Sequence, residues 1–482
     1  MRRSTNPSRR VRAAIEAAAE RSANATTNDR RRTALFAAVV LLASAVVAGA
    51  VVPGGTPIWT TDTDIAGGDD AVAAMAENGG SVIVAGYTST AGGDRDLYIR
   101  STDVVSGETE WDATVDASGG DDEAVAVVSN SPRAYAAGST TNASGDTDFA
   151  VRAFRASRGE ALWGDDFDAA GGDDAATAAA ANGGALLVVG WTTNTDGNKD
   201  FVVRHYRASR GELLWEDTVD RGGDDVAWAV AAHRRQVFVA GTTTSADGDT
   251  DLIVRGYDAS EGALLWEETF DGSGGDETVA AIAMRRRSVF VVGTTESGDG
   301  DLDTLIRGYH VEDGADEWNE IYDRSGGDDV IRAAVAPLRK RTSRKRRPRL
   351  IVVGTTAAPG GDTDLLMRAY DIKTANLFYE NTYDLAGGDD RADAIGLHKL
   401  RAYVAGTSTN ASGDTDFVVR AYDSLHGDLL WEHALDTAGG DDSGAAILSA
   451  KRHTAIAAGT ATGAGGDTDV ALHGFVRSRI IR

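Results

Sequence analysis

Acidic side chains are the first candidates for chemistry here, because they recur in pairs at regular intervals. A Gly-Gly-acid turn occurs eight times, and its first acid is Asp69, Asp121, Asp173, Asp224, Asp276, Asp328, Asp389 and Asp441. A second set of loops reads Gly-Asp-x-Asp, as in Asp247-Gly248-Asp249-Thr250-Asp251. Short Asp-rich loops suit calcium, which takes several oxygen ligands in flexible geometry. The same carboxylates also cap turns by accepting bonds from nearby backbone N–H groups. Recurrence in every repeat favours that architectural role. A repeated arginine (Arg100, Arg152, Arg204, Arg255, Arg307, Arg368, Arg420) offers a ring of cations to a ligand, or else pairs with the Asp-rich loops or a neighbouring repeat. Pairing is the stronger expectation, because buried charge must be compensated. Trp228 falls outside the repeat pattern, as does Trp191. It is a candidate stacking platform for a cofactor, set against a plain core role for so large an apolar side chain. With no Cys there is no disulfide, thiolate metal site or thiol nucleophile. The eight His are scattered, and neither a phosphate loop nor a nucleophile elbow occurs.

What must position these residues is a repeat. Trp59, Trp111, Trp163, Trp215, Trp266, Trp318, Tyr379 and Trp431 follow one another at steps of 52, 52, 52, 51, 52, 61 and 52 residues. A fixed period of this size means stacked supersecondary units sharing a core. One unit reads as four strands. Leu213–Asp220 is followed by a Gly-Gly-Asp-Asp turn, then Val226–Ala232, Gln236–Gly241 and Asp251–Tyr257. Four short strands joined by tight turns make one antiparallel blade of a β-propeller. Eight such units are present, and the orphan strand Thr56–Trp59 completes the last. The prediction is an all-β, eight-bladed propeller over residues 53–482, closed by its N-terminal strand.

Ala421-Tyr422-Asp423-Ser424-Leu425-His426-Gly427-Asp428-Leu429-Leu430-Trp431 resembles the tryptophan-docking motif of PQQ-type quinoprotein propellers. The resemblance spans residues 57–482 and implies that the repeated Trp, with Tyr379 in one slot, dock adjacent blades. It is weaker for activity. Family dehydrogenases carry a vicinal Cys pair beside the quinone, and this chain has no Cys, which disfavours PQQ as cofactor. The family's calcium-binding set maps to no unique positions, so calcium stands as an open expectation. The chain is also similar to PQQ-like repeat proteins that use the blade as a scaffold.

Blade topology then sorts the charges. Numbering strands A to D from the centre outward, the D-to-A and B-to-C loops share one face, and both are acidic. The A-to-B loops are basic in several blades, as in His233-Arg234-Arg235 and Arg285-Arg286-Arg287, and the insertion at 337–350 holds Arg339–Arg349. The expectation is a two-sided disk whose basic face sits toward an anionic membrane. Net charge is -26, with +6 on residues 1–33 and -32 on the remainder. That acidity argues against nucleic acid as partner. Residues 34–52 form an uncharged run long enough to span a bilayer behind an Arg-rich segment, 1–33, expected to be disordered and cytoplasmic. Two outcomes are open: a retained anchor with the propeller outside the cytoplasm, or secretion after cleavage near Ala50. The functional expectation is a non-catalytic extracytoplasmic propeller binding a protein or glycan partner at the cell envelope. The alternative is a PQQ- and calcium-dependent dehydrogenase.

Overall fold

The computed structural model describes residues 55–476, apart from 90–92, 246–247, 273, 325, 337–348, 385–386, 437–439, 451–453 and 464. The segments 1–33 and 34–52, and most of the basic insertion, lie outside the described residues. Among the described residues no helix is long and apolar enough to cross a membrane.

The described residues form 32 strands, β1 to β32 in chain order, grouped as eight four-stranded sheets. Blade 1 is β2 to β5 (Asp70–Val115), and blades 2 to 7 follow in order. Blade 8 combines β30 to β32 (Ser443–Val476) with β1 (Pro57–Thr63). β1 pairs antiparallel with β32, with Trp59 opposite Gly474. The A strands touch their neighbours around the whole circle, blade 8 against blade 1 included. The eight-bladed ring closed by its N-terminal strand is therefore as the sequence predicts.

Apolar B and C strands sandwich between blades, which is why they read as continuous hydrophobic runs. Val237, Phe238, Val239 and Ala240 of β15 (Gln236–Thr244) are fully buried, as is Val254 of β16 (Thr250–Asp258). The A strands carry small residues because eight of them converge on one axis. Each A strand also bulges once, at Trp228 in β14 (Asp225–His233), where the register with β15 slips between Ala227 and Ala229. A bulge pushes the backbone toward its partner. A Cβ on Gly241 would lie 2.0 Å from the Val226 carbonyl oxygen, so the partner strand needs glycine there.

The repeated Trp and Tyr379 each contact the following blade. Trp266 Nε1 donates to the Val311 carbonyl of the next blade at 3.1 Å. Trp59, Trp111, Trp163, Trp215 and Trp318 repeat that bond at 2.9–3.3 Å, and Tyr379 Oη reaches Ser424 O at 3.4 Å. Trp431 stacks on Phe475 of blade 8, with centroids 5.4 Å apart. The indole lies flat on the turn glycine of the next blade. At Gly262 (φ +69°) an added Cβ would stand 2.6 Å from the Trp215 ring.

Candidate functional site

The acidic face is built by the linkers between blades. In all eight, the first acid of the Gly-Gly-acid turn accepts the backbone N–H that opens the C strand of the blade just completed, at 2.9–3.0 Å. The pairs are Asp69–Thr468, Asp121–Arg95, Asp173–Thr147, Asp224–Lys199, Asp276–Thr250, Asp328–Leu302, Asp389–Thr363 and Asp441–Thr415. The second acid is buried in every blade. Asp70, Asp122, Asp174, Asp225, Glu277, Asp329, Asp390 and Asp442 are at most 1 % exposed. Asp122, for example, accepts from Ala117 N and Thr141 N at 2.6 and 2.7 Å. Burial raises the pKa of Asp174 to about 6 and that of Glu277 to about 7, against the bonds they accept. These acids are joints of the ring, as carboxylates that cap turns should be.

The repeated arginines are buried joints too. Arg204, Arg255, Arg368 and Arg420 are 5–8 % exposed. Their partners are not the Asp-rich loops named as one expectation, but acids on D strands. Arg255 pairs with Glu267 of its own blade at 2.8 Å and with Asp217 of the preceding blade at 2.6 Å. Arg100, Arg152, Arg204, Arg307, Arg368 and Arg420 likewise pair with acids on outer strands. The guanidinium also stacks on an aromatic ring of the blade before, 3.4 Å for Arg420 over Tyr383 and 3.5 Å for Arg368 over Tyr322. The signal was in the sequence: Arg255 and Glu267 stand directly opposite across C and D, twelve residues apart, as do Arg420 and Glu432. In blade 8 the arginine slot holds His473, 2 % exposed, whose pKa burial pushes down to about 4. It is neutral at pH 7.

The opposite face departs from the expected charge sorting. Its C-to-D turns bond the A-to-B turns, as in Ala259 N to Arg235 O at 2.7 Å, so both belong to one face. Those C-to-D turns are themselves acidic. Asp258 accepts from Ser260 N at 2.8 Å, and Asp103 and Asp423 accept from their own turns in the same way. The docking turn needs an Asp to cap it, so basic and acidic residues are interleaved there. Arg349 is not a loop residue either. It opens β23 (Arg349–Ala357), donates to Ser424 O at 2.9 Å and stacks 4.2 Å over Phe378.

The central channel breaks the eightfold uniformity. The bulged position of the A strand holds Ala73, Val125, Thr177, Trp228, Ala280, Arg332, Asp393 and Ala445 in turn. Trp228 is 42 % exposed there, and its Nε1 donates to Thr242 Oγ1 at 3.1 Å. It is thus on the innermost strand and open to solvent, not a core residue. Asp393 receives Arg391 at 3.0 Å and Arg332 of blade 6 at 3.8 Å. Burial raises the Asp393 pKa, and the two arginines oppose that rise. Arg332 and Asp393 were missed in the sequence, because a lone bulge cannot be located from alternation alone.

Comparison with known proteins agrees with this geometry. Residues 199–414 match the family described as outer membrane protein assembly factor BamB. No curated protein matches the chain. Among solved structures it is similar to a quinohemoprotein alcohol dehydrogenase from Pseudomonas putida (TM-score 0.52, 12 % identity, covering 88 % of this chain and 77 % of that one). The corresponding enzyme from Comamonas testosteroni gives TM-score 0.51 at 11 % identity, covering 88 % and 77 %. A europium-containing methanol dehydrogenase gives 0.51 at 10 %, covering 88 % and 93 %. The class is therefore an eight-bladed β-propeller. More narrowly, residues 199–414 match a PQQ-like repeat family, and identities this low to the solved structures speak for the fold alone.

Proposed function

We propose that the chain is a non-catalytic extracytoplasmic propeller that holds a protein partner at the cell envelope. The observation that carries this is an apolar rim. Leu213, Leu214, Leu264, Leu265, Leu429 and Leu430 are 39–47 % exposed at the start of the outer strands of blades 3, 4 and 7. An outer strand leaves one row of N–H and C=O groups unpaired. Backbone pairing plus adjacent leucines suits an added strand of a protein partner better than a glycan. The name of the matching family, an outer membrane assembly factor, agrees with such a role. The apolar run 34–52 would deliver the propeller across the membrane, as a retained anchor or as a leader cleaved near Ala50.

One observation favours the dehydrogenase reading: Trp228, Arg332 and Asp393 make one side of the channel unlike the rest. Two measurements separate the readings. Full-length chain mixed with PQQ and calcium chloride should retain no quinone absorbance and oxidise no alcohol with a dye acceptor; turnover would overturn the scaffold. A photo-crosslinker beside Leu265 in cells should capture an envelope protein, and Leu265→Glu with Leu430→Glu should abolish that capture. Capture indifferent to both changes would count against the rim.

A further inference from the structure

The B-to-C loops contain a difference between blades that their common motif hides. In blades 2, 3 and 7, an Asn six residues before the second acid of the loop donates its side-chain amide to that acid. Asn142 reaches Asp148, Asn194 reaches Asp200 and Asn410 reaches Asp416, at 2.7–2.8 Å. In blade 6 the guanidinium of Arg324 stands 3.6 Å from the same acid, Asp364. In blades 4, 5 and 8 the Asn is replaced by Ser245, Ser297 and Gly463. There the corresponding acids, Asp251, Asp303 and Asp469, each keep a buried carboxylate oxygen with no hydrogen-bond partner. The serines do not fill the gap, since Ser245 and Ser297 donate to the first acid of the loop instead.

Blade 5 shows the case most fully. Asp303 is 8 % exposed, and a carboxylate oxygen from each of Asp301, Asp303 and Asp323 lies within 4.8 Å of the others. Triplets also form in blade 4 with Asp251, in blade 8 with Asp469, in blade 1 with Asp96 and in blade 2, where Asn142 already donates to Asp148, so it is burial together with the oxygen without a donor that sets Asp303 apart. A buried anionic oxygen without a donor is costly. Where a neighbour supplies no N–H, a cation is what remains to satisfy it. All the side-chain donors are carboxylate oxygens, which select a hard ion. Calcium, with Ca–O distances of about 2.3–2.6 Å, spans oxygens up to about 5 Å apart, whereas magnesium requires a tighter octahedron.

The geometry points to a calcium site at the B-to-C loop of blade 5, in which the ion takes the place that an Asn amide holds in blades 2, 3 and 7. The site ties the B-to-C loop of blade 5 to the end of its own outer strand. It uses a different acid set from the linker clamps, and it does not depend on the scaffold reading.

Calorimetry on the full-length chain with calcium chloride at pH 7.5 tests it. The expected stoichiometry is one. Asp303→Asn should lower it by one. Ser297→Asn, which supplies the missing amide, should do the same without lowering the melting temperature in chelator, and this variant carries the test if Asp303→Asn does not fold. Asp416→Asn in blade 7 should change nothing. Absence of heat, or heat that survives both blade 5 changes, would overturn the proposal.

Discussion

The seam between blades 4 and 5 and the seam between blades 5 and 6 use the same parts with one change. At the first, Trp266 lies on Gly314 at φ +72° and is 7 % exposed. At the second, Trp318 faces a turn in which Ala375 takes the glycine position, at φ +55°. Its indole still donates to Ile372 O at 3.0 Å, but the ring is only half-buried, tilted 38° against Tyr370 where Trp266 lies 28° from Tyr309. A non-glycine residue in the left-handed region costs about 1–2 kcal/mol. The next seam, with Tyr379 in place of Trp, is thinner again. The indole hydrogen bond thus survives the loss of the turn glycine, and the partial exposure of Trp318 is shared by Trp163 and Trp215, which do lie on glycines.

That contrast can be broken most heavily at the well-packed seam. Trp266→Ala should cost about 3–5 kcal/mol, the usual range for deleting a buried aromatic, and Trp318→Ala distinctly less; urea midpoints of the two variants check this. Gly314→Ala comes next. Its methyl would stand 2.8 Å from the Trp266 ring in a strained conformation, so a loss of about 2 kcal/mol is expected by the same titration. The reverse change, Ala375→Gly, should instead stabilise the chain, by about 1 kcal/mol. If Gly314→Ala were neutral, the difference between the seams would lie elsewhere than in the glycine.

The smallest effect concerns the linkers, which both seams share. Asp174 has its folded pKa raised to about 6 from an ordinary 3.8. The folded state therefore holds this proton more tightly than the unfolded chain does. Its stabilising share is complete below about pH 4 and is lost as pH rises through 6. Melting temperature should accordingly fall between about pH 4 and pH 6, and Asp174→Asn should flatten that part of the profile.

The ring was legible because each blade makes the same demands at the same places. Trp215 needs a flat turn glycine at Gly262, and the Val226 carbonyl beside the bulge needs Gly241, so residue types recur at one period. The linker acids were legible as turn caps for the same reason. The Arg partners were not assigned, because pairing across C and D depends on register, which the C-to-D shift between Gly256 and Tyr257 disturbs. The channel residues were obscured similarly: Trp228, Arg332 and Asp393 stand out only once the bulge is known to fall on them. Charge sorting failed on one face because loop charge was read without asking which Asp the docking turn consumes.

The pairing of β1 with β32 joins residues some four hundred positions apart: Thr468 N meets Asp69 at 3.0 Å, and Trp59 faces Gly474. A ribosome releasing this polypeptide stepwise delivers Pro57–Thr63 first among the ring's strands and its mate, β32, last among them. Until then the opening strand has no lasting companion, and the nearly finished array carries two raw borders at once. Maturation thus becomes a single late snap rather than gradual growth, and a chaperone guarding that waiting strand would have the longest watch of any in the molecule.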